Sequence, residues 1–296
     1  MSTLLDSFGQ HFFRLALLEA VMVGALAGVV GVHVLLRRLP FFVVAMSHAT
    51  FPGVVFGSLL GVSLFAGGAV VGVAVALLIV ALGSLRQIDD SSAIGIVLAG
   101  CFAVGVLVLS AQPGASRDLS AYLVGSIVTV TRADLVTTAV VGAVLVGVLA
   151  TFHKELVLGA FDPGGLTALG YPGRTLDTVV LVVVTVALVV CVPAVGTLLA
   201  VALLTLPALA ARQWTDRVGR MTVLAATLGA LSGVLGLSLS AAFDIAAGGT
   251  IALTATALFV ASATVRRTGL GRGPHAPEED GVGAPSGAAK PPGIRP

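Results

Sequence analysis

The sequence predicts an all-α integral membrane protein, a polytopic bundle of eight or nine transmembrane helices. Of its 296 residues, 57% are hydrophobic and only 10% charged, a mix far from that of a water-soluble domain. The apolar residues come in runs, among them 13–36, 93–111, 179–195 and 224–239. Each is long enough as a helix to cross a hydrocarbon core of ~30 Å. Strand-type alternation is missing, which argues against a barrel.

The first run, 13–36, is longer than the apolar core of a signal peptide and ends at Arg37 and Arg38 without a small-residue cleavage pattern, so it reads as a retained span. Further spans are expected near 43–61, 66–84, 93–111, 133–152, 176–193, 196–211, 220–240 and 248–265. The stretch 119–130 is too short to cross alone and reads as a half-helix or an interfacial helix. Asp89 and Asp90 stand just before Ser91 and Ser92 at the start of a span, where capping and the helix dipole account for them. Residues 1–267 therefore form one transmembrane domain. The segment 268–296, rich in Gly, Pro and Ala, lacks the apolar content to bury anything and is expected to be a disordered cytoplasmic tail.

The formal net charge of +2 says less than where the charges fall. With a cytoplasmic C-terminus, the inner segments hold Arg37, Arg38, Arg86, Lys154, Arg174, Arg212, Arg217 and Arg220, while Arg14, Arg117 and Arg132 fall outside. That asymmetry follows the positive-inside rule. Nothing in it supports nucleic-acid binding. Cys101 and Cys191 lie inside apolar runs and imply no disulfide framework; they read as small hydrophobes, with soft metal ligation as the lesser alternative. His11, His33, His153 and His275 show no spacing that would converge two metal ligands.

The most informative polar site is in residues 46–53, Met-Ser-His-Ala-Thr-Phe-Pro-Gly, where Ser47 and His48 fall within a span. An ionisable residue there is costly and usually faces a cavity or a partner. His48 lies ten residues beyond Arg38, so it should sit roughly 15 Å deep. Pro52 displaces the carbonyl of residue 48 from the helical ladder. An imidazole and a freed carbonyl at one level could handle a partly dehydrated cation, the imidazole favouring zinc, manganese or iron. A proline kink beside a histidine that hydrogen-bonds across helices is the alternative. Further kinks are expected at Pro193 and Pro207. In the loop between His153 and Arg174, Asp162 can cap a short helix that begins at Pro163 and stops at Gly170. That helix is either a docking element or an ordinary ordered loop. Asp244, at the outer end of the last two spans, either attracts divalent cations or caps a helix.

Several stretches in order, Leu-Arg-Arg-Leu-Pro-Phe at 36–41, Ser-His-Ala-Thr-Phe-Pro-Gly-Val-Val at 47–55, Ala-Ile-Gly-Ile-Val at 93–97, Tyr-Leu-Val-Gly at 122–125, the Phe161-Asp162 loop and 195–208, resemble the membrane subunits of the zinc/manganese/iron ABC importer family. The likeness runs to about residue 266. It implies an architecture like that of the cobalamin and siderophore permeases. It also implies a second permease subunit, expected to be a homodimer partner, a cytoplasmic ABC ATPase, and an extracellular or periplasmic metal-binding protein. ATP hydrolysis is then expected on the ATPase chain, in keeping with the missing Gly-x-x-x-x-Gly-Lys motif here. The resemblance places Phe161, Asp162 and Gly170 in the ATPase-coupling loop, and Ser47, His48 and Asp244 along the metal path. Many members carry an aspartate four residues before the motif histidine; here that position is Val44. Transient passage then fits better than tight coordination. The expected cargo is zinc first and manganese second, with no tightly bound cofactor, in a bacterial cell membrane. The alternative is a stand-alone ion-coupled secondary transporter.

Overall fold

The computed structural model describes residues 11–85, 89–110, 125, 127 and 130–268. Their helices are α1 (His11–Leu36), α2 (Pro40–Ala49), α3 (Phe51–Leu59), α4 (Leu64–Gly83), α5 (Asp90–Ser110), α6 (Arg132–Thr151), α7 (His153–Phe161), α8 (Pro163–Ala168), α9 (Gly173–Val195), α10 (Thr197–Arg212), α11 (Val218–Phe243) and α12 (Ala247–Arg267). Eight segments are long and apolar enough to cross a membrane, and Leu199–Arg212 is a shorter apolar helix. The nine expected spans are therefore all helical. Most of the segment 119–130 and the tail beyond Thr268 lie outside the described residues.

The second span is two helices rather than one. α2 ends at Ala49 and α3 starts at Phe51, because Pro52 has no N–H to continue the ladder. The sequence also sets the helix starts. The Ser92 hydroxyl and N–H both donate to the Asp89 carboxylate and hold its pKa below the ordinary aspartate range. A group shifted this way keeps its cap until the pH falls through the lowered value. Thr131 and Asp134 form a reciprocal capping box at the start of α6.

Burial divides the bundle into a centre and a periphery. In the apolar windows of α1 and α9, 61% and 67% of residues are buried, against 28%, 22% and 17% in α4, α5 and α6. The latter three expose Val70, Leu107 and Val140, as apolar side chains facing lipid do. The centre is α1, which packs on α11, α10, α9 and α6.

The α1–α11 contact is made through backbone. Ala20, Gly24 and Gly28 on α1 meet Gly233, Gly229 and Ala225 on α11, a four-residue spacing on both helices. A Cβ at Gly24 would stand 2.3 Å from the Gly229 carbonyl oxygen, and one at Gly28 would stand 2.2 Å from that of Ala225. Small residues at this spacing let membrane helices approach closely enough for dispersion to hold them without a hydrophobic driving force.

Two turns at the basic end of the bundle share one construction. After α8, Gly170 at φ 83° donates to Thr167 O while Tyr171 donates to Leu166 O. After α1, Arg38 at φ 56° donates to Leu35 O while Leu39 donates to Val34 O. Both are Schellman caps. Glycine takes the left-handed position freely, whereas Arg38 bears a cost of about 1–2 kcal/mol there.

Candidate functional site

His48 lies near the end of α2, two residues before the break, and is half-buried. Phe41 and Val44, two turns and one turn earlier on the same face, are 51% and 39% exposed. The accessible stripe of α2 thus ends on the imidazole. Ser47 faces the other way. It is 1% exposed, and its hydroxyl donates to the Val44 carbonyl at 2.7 Å. Ser47 and His48 are therefore adjacent in sequence but not in direction. The break leaves further polarity close by, since the Thr50 hydroxyl is buried without a hydrogen-bond partner.

Asp244 follows α11, exposed and left-handed at φ 53°, its N–H donating to Ser240 O. It caps a helix C-terminus, where a negative charge opposes the dipole, so N-terminal capping does not explain it. α11 packs on α1, α10 and α12, and α2 packs on α5, α9 and α10, so the two helices share α10 as a neighbour. Pro193 and Pro207 lie inside α9 and α10, which run on past them; α9 ends two residues later, at Val195. The junction with α10 is Gly196, against which Gly125 packs so closely that a Cβ there would stand 2.3 Å from the Gly196 nitrogen. Ile127 is fully buried in the core beside it.

The loop at the basic end forms as its sequence indicates. Asp162 caps α8, its Oδ1 accepting from the Gly165 N–H at 2.8 Å, with Pro163 in the first turn. Leu166, 2% exposed, anchors α8 to the core. Phe161, Leu169 and Tyr171 are then left 66%, 68% and 43% exposed on the outer side of the α7–α8 pair. Three large apolar side chains are thus left exposed together on a capped, anchored helix pair.

One intramembrane group is passed over by the sequence reading. Glu19, in α1, is 3% exposed; Thr138 of α6 donates to its Oε1 at 2.6 Å, and its Oε2 has no partner. An ionisable residue inside the first span was a visible signal, but its partner 119 residues away was not. Thr138→Val, which removes that donor, is expected to destabilise the protein by about 1–3 kcal/mol, seen as a lower unfolding midpoint in detergent. An unchanged midpoint would show that the contact carries no weight. His33, 3% exposed at the basic end of α1, has Arg37 and His153 as neighbours. Among the described residues, no group of three or more His, Cys, Asp or Glu side chains gathers as a metal site.

Among the described residues, eight spanning segments, a shorter apolar helix and a capped helix pair at the basic end define a polytopic helical membrane protein. The chain belongs to the ABC 3 transport family, whose model matches residues 10–266. It is 34% identical over 248 residues to "Manganese transport system membrane protein MntC" of Listeria monocytogenes, covering 84% of this chain and 88% of that one. It is 32% identical to "Zinc transport system membrane protein TroC" of Treponema pallidum, covering 88% and 91%. A structure described as "PsaBC from Streptococcus pneumoniae in complex with Fab" superposes with a TM-score of 0.80 at 34% identity, covering 88% of this chain and 94% of that one. At 22% identity and a TM-score of 0.65, "a putative metal-chelate type ABC transporter" in an inward-facing conformation shares the fold.

Proposed function

We propose that this chain is the permease subunit of an ATP-driven importer of divalent metal ions, with manganese ahead of zinc as cargo. The observation that carries the site is His48, half-buried at the end of the accessible stripe on α2 beside a helix break. An accessible face ending on an imidazole halfway through a span suits an ion path formed where a second copy of the subunit meets this one. The order of the ions reverses the expectation drawn from imidazole softness. Similar proteins named for manganese are the more frequent. The ion is cargo, and the reading needs no tightly bound cofactor.

The basic face is the cytoplasmic one in this reading, with the C-terminus on the same side, as the positive-inside rule directs. There the α7–α8 pair meets an ABC ATPase, while a metal-binding protein delivers the ion on the opposite face. Uptake of radioactive manganese and zinc by cells expressing the whole system tests this. His48→Ala is expected to lower uptake by about tenfold or more, the scale on which metal-site partners act, at unchanged protein level. An ATPase with a dead nucleotide site should abolish uptake. Transport that persists without any ATPase would replace this reading with a stand-alone ion-coupled transporter.

A further inference from the structure

The basic end of the bundle holds a cavity of about 700 Å³, lined by the end of α1, the starts of α2 and α9, the end of α4 and the α7–α8 pair. Arg37, Arg38 and Arg174 are among its lining residues, and Asp177 is the one carboxylate there. Three cations against one anion leave two positive charges uncompensated. Arg38 and Arg174 are exposed and have no ion-pair partner among the described residues. Arg37 is different, because its side chain is only 9% exposed. One terminal nitrogen pairs with Asp177 and the other reaches the Leu156 carbonyl at 3.4 Å, while Nε is buried with no acceptor. A buried guanidinium nitrogen without a partner marks a place where an acceptor is missing.

The remaining lining separates the candidate acceptors. Phe42, Ile79 and Leu181 also line the cavity, and each lies within a membrane-spanning helix. A cavity lined by arginines together with apolar side chains of spanning helices matches a molecule with an anionic head and a hydrocarbon body. Arg38 adds an independent sign. It sits in a left-handed cap that Gly170 fills without strain in the neighbouring turn, and backbone strain persists where a side chain is needed.

We propose that this cavity binds the phosphate-ester headgroup of an anionic phospholipid, with the arginines on the phosphate and an acyl chain along Val80 and Leu181. Guanidinium groups suit phosphate through paired N–H donors. The site does not depend on the identity of the transported ion.

The test uses the full-length chain in nanodiscs of phosphatidylcholine containing phosphatidylglycerol, with retained lipid measured by native mass spectrometry. Arg38→Gly relieves the left-handed strain while deleting a charge, so it should fold at least as well as the wild type. Arg38→Gly combined with Arg174→Gln is expected to retain about tenfold less phosphatidylglycerol than wild type, with an unfolding midpoint no lower than that of the wild type. Equal retention by wild type and double variant overturns the proposal. In a parallel arm, glycerol phosphate is titrated in solution; if it binds in an arginine-dependent way and the lipid does not, the lipid assignment falls and the site belongs to a soluble phosphate ester.

Discussion

Gly229→Leu is expected to leave no folded protein to purify. A Cβ at this position would stand 2.0 Å from the Gly24 carbonyl oxygen and 2.8 Å from the Gly24 carbonyl carbon. Both obstacles are backbone, so no rotamer change relieves them. α1 would have to move off α11, and α1 also packs on α6, α9 and α10. Overpacking a well-filled core costs about 1–3 kcal/mol when side chains can shift, and more is expected where the blocking atoms are helix backbone. Gly147→Leu is the control, since nothing lies within 4 Å of a Cβ built at Gly147 on the lipid-facing α6. The expected result is a monodisperse size-exclusion peak for Gly147→Leu and aggregate for Gly229→Leu. Two well-behaved proteins would show that the backbone contact is not needed.

Phe161→Asp is expected to uncouple transport from ATP hydrolysis without harming the fold. Phe161 is 66% exposed beside Asp162 and Leu169, so little of the core depends on it. Losing one aromatic anchor at the centre of an interface costs about 2 kcal/mol, or a roughly 30-fold weaker association. ATP-dependent metal uptake should fall to near background at unchanged expression, and the ATPase should co-purify poorly with the variant. Asp162→Ala provides a graded comparison, because it removes a helix cap worth about 1 kcal/mol while leaving Phe161 in place. Uptake unaffected by Phe161→Asp would remove the α7–α8 pair as the docking site.

The parts legible in the sequence are those in which the signal is local. Apolar runs mark the spans, Asp89 and Asp162 mark helix starts, and Pro52 marks the break after α2, because each acts on residues within a turn or two of itself. The parts that were not legible are pairings. The small-residue stripe at 20, 24 and 28 is visible in the chain, but a stripe does not name the helix it meets. Glu19 meets Thr138 across 119 residues, and Arg37 meets Asp177 across 140; no periodicity encodes either. Direction was the other gap. Ser47 and His48 share a motif, yet helical geometry turns one into the subunit and the other toward its surface.

The glycine contact between α1 and α11 bears on how such a transporter moves. Two helices whose backbones touch over two turns cannot slide or tilt against each other without first separating, so they form a stiff mast. Alternating access is then expected in the parts fastened less tightly: the outer layer of α4, α5 and α6, and the joints at Thr50 and Gly196. A spin-label pair bridging α1 and α11 should keep one distance through the transport cycle, while pairs from α1 to α5 should report two.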